Sequence, residues 1–75
     1  MENVKEMKIR IVNKYGVKIL KPFRFYKDAV VIGHANYDET FEAEVLWLDS
    51  TSRYYQIKYN GESAWIFSDG VREKL

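Results

Sequence analysis

Apolar and polar residues alternate along most of this chain, and the period of the alternation is two. Phe41-Glu42-Ala43-Glu44-Val45-Leu46-Trp47-Leu48, Arg53-Tyr54-Tyr55-Gln56-Ile57-Lys58-Tyr59 and Glu62-Ser63-Ala64-Trp65-Ile66-Phe67 read as three consecutive antiparallel strands, because β side chains point alternately to opposite faces. Asp49-Ser50-Thr51-Ser52 turns the first into the second, and Asn60-Gly61 turns the second into the third. Asn-Gly is a strong hairpin signal, since a type I′ turn needs positive φ at both central residues. That turn sets Tyr59 opposite Glu62, Ile57 opposite Ala64 and Tyr55 opposite Ile66. On the other face it sets Lys58 with Ser63, Gln56 with Trp65 and Tyr54 with Phe67. For the first hairpin, a five-residue loop pairing Leu48 with Tyr54 keeps opposed residues on one face. It predicts Trp47 against Tyr55, Val45 against Ile57, Ala43 against Tyr59 and Glu44 against Lys58. The expected core face is then Phe41, Ala43, Val45, Trp47, Tyr55, Ile57, Tyr59, Ala64 and Ile66.

The opposite face is not uniformly polar. Leu46, Leu48, Tyr54, Trp65 and Phe67 cluster at its far end. A strongly bent sheet would bury them as a second layer; left open, they form an aromatic patch of the kind that marks interaction sites. Both readings stay in view, and on the second these five residues would contact a partner protein or a second copy of the chain.

The first forty residues continue the two-residue period. Met7-Lys8-Ile9-Arg10-Ile11 alternates with Met7, Ile9 and Ile11 inward, Asn13 to Gly16 is a turn, and Val17-Lys18-Ile19 alternates again. These two strands are expected to form a hairpin whose outer face carries Lys8, Arg10 and Lys18. Pro22 marks a strand edge or bend, since it cannot donate to a ladder. Phe23 to Tyr26 resumes extended structure, Lys27-Asp28 is a turn, and Ala29-Val30-Val31-Ile32 is a fully apolar run that suits a central strand. Gly33 ends or bulges it. His34 to Thr40 is a polar loop. Ser68-Asp69-Gly70 is a turn, and residues 71–75 form one helical turn or a last short strand. The first residues, 1–6, read as frayed. No helix of ten or more residues is signalled.

Seventy-five residues make one domain, 1–75, and a chain this short buries only about 60% of its unfolded surface. The 16% aromatic content helps such a chain fill a core. Five to seven short antiparallel strands in so small a domain predict an all-β fold, a small barrel whose closure would remove exposed edges.

The strand Phe41 to Leu48, the Tyr54-Tyr55-Gln56-Ile57-Lys58-Tyr59-Asn60-Gly61 hairpin and the closing Ala64-Trp65-Ile66 resemble the central hairpins of SH3-like barrels. Tudor and chromo-barrel modules are the nearest in pattern, and the SH3-like DNA-binding tail of integrases is compatible. The resemblance covers residues 41–67. A Tudor likeness implies an aromatic cage for a methylated cation, whose candidates here are Tyr37, Tyr54, Tyr59 and Trp65.

Composition narrows the chemistry. There is no cysteine and one histidine, His34, too few for a zinc site, and a proton-transfer role for His34 is the lesser reading because a catalytic dyad needs a paired nucleophile and base. The glycines are isolated, so no phosphate-cradling loop is formed. His34 reads as a solvated turn residue, and Asp38-Glu39, Glu42 and Glu44 read as a solvated face. No catalytic residue, metal site or cofactor is expected, and no apolar run is long enough to span a membrane. A polar start without an apolar signal core, and the absence of cysteine, suit a cytoplasmic protein.

Net charge is +1, but its distribution is uneven. Residues 1–27 carry eight basic and two acidic side chains, and residues 28–75 carry four basic and nine acidic ones. Lys8, Arg10, Lys18, Lys21, Arg24 and Lys27, interleaved with Tyr15, Phe23 and Tyr26, are therefore the candidate nucleic-acid contacts. Cations neutralise phosphates and rings stack on unpaired bases. The expectation is a non-enzymatic binding module that contacts nucleic acid through the basic N-terminal hairpin. The alternative is a protein-interaction module using the aromatic patch, of the kind phage and mobile elements encode to bind or inhibit a host factor, or one that pairs with itself as a homodimer.

Overall fold

The structure is a computed structural model that describes residues 7–74; the expected frayed start, residues 1–6, lies outside it. The domain is all-β. Its strands are β1 (Met7–Ile11), β2 (Val17–Leu20), β3 (Val31–Ala35), β4 (Thr40–Trp47), β5 (Arg53–Tyr59), β6 (Glu62–Phe67) and β7 (Val71–Lys74), with one turn of 3₁₀ helix at Tyr26–Asp28. All pair antiparallel in one sheet of order β3-β2-β6-β5-β4-β1-β7.

The β5–β6 hairpin has the register its turn dictates, from Tyr59 opposite Glu62 through to Tyr54 opposite Phe67. Asn60 and Gly61 hold φ of 53° and 83°, as a type I′ turn requires. The β4–β5 hairpin keeps the expected faces but is slipped by two residues. Val45 stands opposite Tyr55, Trp47 opposite Arg53 and Glu44 opposite Gln56, not Lys58. The Asp49 carboxylate decides the slip. It accepts from Thr51 N–H at 2.8 Å, Thr51 Oγ1 at 3.0 Å and Ser52 N–H at 2.8 Å, and Leu48 N–H donates to the Ser52 carbonyl. Leu48 thereby becomes part of the loop. Trp47 falls beyond the last core rung and is 57% exposed, so its assignment to the core is corrected. The Arg53 guanidinium lies over its ring at 5.9 Å.

β4 serves two ribbons. Its residues Thr40–Ala43 pair with β1, and Glu44–Trp47 pair with β5. The sheet folds over at this strand, and the fold encloses Ile9, Ile11, Ile19, Ala35, Ala43, Tyr55, Ile57, Ala64 and Ile66, with Met7, Val17, Phe41, Val45, Tyr59 and Val71 packed against them. Burying a Val, Leu, Ile, Phe or Met side chain contributes about 1.5–3 kcal/mol, so the five largest fully buried side chains, Tyr55, Ile9, Ile11, Ile19 and Ile66, are where the stability concentrates. Curling brings β3 back over β5. A Cβ on Gly33 would strike the Tyr59 ring, so glycine is what lets the two strands approach.

Three further expectations fail. β1 and β2 do not form a hairpin: the Asn13–Gly16 turn is present, with Gly16 at φ +80° and its N–H donating to the Asn13 carbonyl. It passes the chain from one ribbon to the other, so β1 lies between β4 and β7 and β2 between β6 and β3. As a result the sheet is not closed as a barrel. β3 and β7 are its edges, and Val30-Val31-Ile32 belongs to an edge rather than to the sheet centre.

Candidate functional site

β1 alternates, so Ile9 and Ile11 are buried while Lys8 and Arg10 share the outer face. β7 alternates beside it, with Val71 against the core and Arg72 and Lys74 outward. Their register puts Lys8 directly opposite Lys74 and Arg10 directly opposite Arg72. Like charges directly opposite are destabilising, yet here two such pairs stand on neighbouring rungs. Residues two apart on a strand are about 6.7 Å apart and opposed Cβ atoms are about 5 Å apart, so the four cations occupy one small rectangle.

Its counter-charges are few and stand at one side. Asp38 takes one guanidinium nitrogen of Arg10 at 2.8 Å, with both side chains well exposed, and Glu42 lies across from Lys8 on β4. Glu73 faces away: its carboxylate accepts the Tyr55 hydroxyl at 2.8 Å and lies 4.0 Å from Arg53. Burial first, and that hydrogen bond second, push the Tyr55 hydroxyl up to about 12. A shallow depression of about 400 Å³ lies along the cationic rectangle, lined by Arg10, Asp38, Thr40, Arg72, Glu73 and Lys74.

The six basic residues singled out from the sequence divide in two. Lys8 and Arg10 are in this rectangle. Lys18 is exposed on β2, opposite His34, while Lys21, Arg24 and Lys27 are exposed in the β2–β3 connection; no ladder brings these four to β1. Arg72 and Lys74 were missed, because only the long-range pairing of β7 with β1 reveals them. His34 is on β3, and its Nε2 is 3.1 Å from the Tyr15 carbonyl oxygen. Among the described residues, no group of three or more His, Cys, Asp or Glu side chains is placed to hold a metal ion, and no helix is long and apolar enough to cross a membrane.

The aromatic cluster is partly roofed. The β2–β3 connection lays Phe23 edge-on against Tyr54 at 5.6 Å and against Trp65 at 5.0 Å, with Tyr26 behind it at 6.0 Å. Tyr54 is buried, which raises the pKa of its hydroxyl, Leu46 and Trp65 are half-buried, and Phe67 and Leu48 remain exposed. Trp65 Nε1 donates to Gln56 Oε1 at 3.1 Å, tying β6 to β5. A groove of about 490 Å³ remains beside the roof, lined in part by Leu20, Tyr26, Tyr54 and Phe67. The four cage candidates do not converge. Tyr54 and Tyr59 lie on opposite faces of β5, and Tyr37 stands in the β3–β4 loop.

No family model, curated protein or solved structure matches this chain.

Proposed function

We propose that this protein is a non-enzymatic module that binds nucleic acid through the outer face of β1 and β7. The observation that carries the reading is the pair of like-charge rungs, Lys8 with Lys74 and Arg10 with Arg72. Such rungs weaken the fold, and a polyanion laid along them relieves the repulsion while it releases its own condensed counterions. Glu42, across from Lys8 on β4, and Asp38, paired with Arg10, bound the contact on the β4 side. The finer fold reading goes with it: an SH3-like small barrel left open between β3 and β7, supported by the β4–β5–β6 meander and by the division of β4 between two ribbons. Action in the cytoplasm is part of the same proposal, supported by the lack of cysteine.

The test is fluorescence anisotropy with labelled single-stranded and duplex oligonucleotides at several salt concentrations. Four phosphate contacts give a slope of log K against log salt of about −3.6 for duplex or about −2.8 for a single strand. The fourfold variant Lys8→Gln, Arg10→Gln, Arg72→Gln, Lys74→Gln should bring the slope close to zero. Wild-type affinity that is absent at low salt, or indifferent to salt, rules the reading out. A protein-interaction role is favoured by a separate observation, the apolar edge at β3.

A further inference from the structure

The ridge that carries Lys8 and Arg10 does not stop at the cationic rectangle. Past the last rung of β1 with β7, Ile11 opposite Val71, Val12 N–H and Asn13 N–H both donate to the Gly70 carbonyl, at 2.9 and 3.2 Å. The chain then passes straight into the Asn13–Gly16 turn, which is braced from within and from below. Asn13 accepts from the Gly16 N–H through its carbonyl and from the Tyr15 N–H through Oδ1, both at 2.9 Å. His34 Nε2 lies 3.1 Å from the Tyr15 carbonyl oxygen, and a Cβ on Gly16 would strike His34 and the Ala35 carbonyl. The backbone of the turn is fixed against β3, yet the Tyr15 side chain is 77% exposed. Lys14 Nζ stands over its ring, 5.1 Å from the centroid.

We propose that Tyr15 is a stacking platform for an unpaired base and that the nucleic acid taken by the β1–β7 face is single-stranded, which rests on the function proposed above and narrows its ligand. Cations that follow phosphates and a ring that takes a base are the two parts of a single-strand site. Tyr15 supplies the ring at the end of the cationic track, and Lys14 supplies a charge for the phosphate beside the stacked base. The braced turn sets the ring's position before binding, so less ordering opposes it. A duplex has no use for this ring, because its bases are already paired and stacked. Other exposed rings are worse placed. Phe25 and Tyr26 lie on the β2–β3 connection, Trp47 and Phe67 on the β4–β5–β6 ladders, and Tyr37 beside Asp38, whose carboxylate already holds Arg10.

Fluorescence anisotropy with oligothymidylate and oligouridylate of about 12 nucleotides, a length usual for such sites, tests this. Tyr15 follows Arg10 by five residues, a span of at most roughly 18 Å. Even a strand stacked as in a duplex advances about 3.4 Å per nucleotide, so either probe reaches both. Tyr15→Ala should weaken binding of the tighter probe about tenfold, within the range for one stacked base, and leave the salt slope unchanged. Tyr15→Phe, which keeps the ring, should bind as the wild type does. An abasic oligomer of the same length keeps the phosphates without the bases. The wild type should bind it at least about tenfold more weakly, and Tyr15→Ala should make no further difference; the wild-type comparison needs no substitution and so holds whatever a variant does to folding. A duplex bound as tightly as the single strand at about 0.15 M salt overturns the proposal. So does single-strand binding indifferent to Tyr15→Ala or to loss of the bases. In those outcomes the salt slope and its collapse in the fourfold Gln variant persist, which separates failure here from failure of the nucleic-acid reading. A wild type that binds no oligonucleotide at low salt overturns both.

Discussion

Lys74→Glu is the substitution that separates a working charge cluster from an accidental one, because it should move stability and binding in opposite directions. Lys74 stands directly across from Lys8 on the outer face. A cross-strand charge pair is worth roughly 0.2–1 kcal/mol, favourable for opposite and unfavourable for like charges. The substitution turns one into the other, and after discounting for exposure and long side chains we expect a gain of about 0.5–1 kcal/mol at low salt. For a domain of this size that is about 2–8 °C in Tm. The gain should shrink as salt is added, since the Debye length falls from about 10 Å at 0.1 M to about 3 Å at 1 M.

The same substitution removes one of four phosphate contacts and puts a repelling charge in its place. The salt slope should flatten by about 0.7–0.9, and affinity at 50 mM salt should fall tenfold or more, since a reversed unit charge at about 4 Å in water is worth roughly 2 kcal/mol. Thermal denaturation by circular dichroism at two salt concentrations reads the first quantity, and anisotropy titration reads the second. A variant that is less stable at low salt would mean Lys8 and Lys74 do not face each other. One that is more stable yet binds oligonucleotide undiminished would show that the cluster is not the binding face.

Three other substitutions probe the frame that holds this face. Gly33→Ala drives a methyl into the Tyr59 ring, and chemical denaturation should show a loss of about 1–3 kcal/mol, as for other overpacked sites; a neutral result would mean β3 does not curl over β5. Tyr55→Phe removes the hydroxyl that donates to Glu73. Because the folded tyrosine ionises only near 12 and a tyrosine ordinarily ionises at 10.0, its protonated form contributes stability that is fully present below pH 10 and lost as pH rises to about 12. The wild type should show that decline in alkaline denaturation, and the variant should lack this component of it. Asp49→Ala should loosen the β4–β5 loop. Its carboxyl is held below the usual value by the Thr51 amide first, then by the Thr51 hydroxyl and the Ser52 groups, so its contribution is present above pH 3.8 and lost as pH falls through the lowered value. The variant's acid unfolding should be shallower than that of the wild type.

How far the sequence speaks depends on the range of the interaction being read. The β5–β6 hairpin was legible to the residue, because Asn60-Gly61 is a local signal with one good geometry and it fixes every later pair. Core faces were legible for a similar reason, since alternation constrains parity along each strand. Parity does not fix register. The β4–β5 ladder slipped by two, the smallest slip that leaves every side chain on its proper face, and the side-chain cap at Asp49 chose between the alternatives. Trp47 bore the consequence, leaving the core for solvent. Edges were not legible at all. An apolar run such as Val30-Val31-Ile32 fits the middle of a sheet, and only the long-range order β3-β2-β6 shows that it is not there.

The candidate site shows the same boundary from the functional side. Lys8 and Arg10 stood out because they alternate with Met7, Ile9 and Ile11 in a basic stretch. Arg72 and Lys74 did not, because they belong to the acidic part of the chain and balance it in any count of charge. Folding reverses that sense: β7 returns to β1 and places two cations from the acidic half beside two from the basic half. The local field on this face therefore follows from topology rather than from composition, and a net charge of +1 says little about it. A pairing that offsets charge would have been as easy to encode, since exchanging Glu73 with Lys74 in sequence would put a carboxylate opposite Lys8. The strand has instead turned its carboxylate to Tyr55 and Arg53 and its cations to the other face, opposite two more.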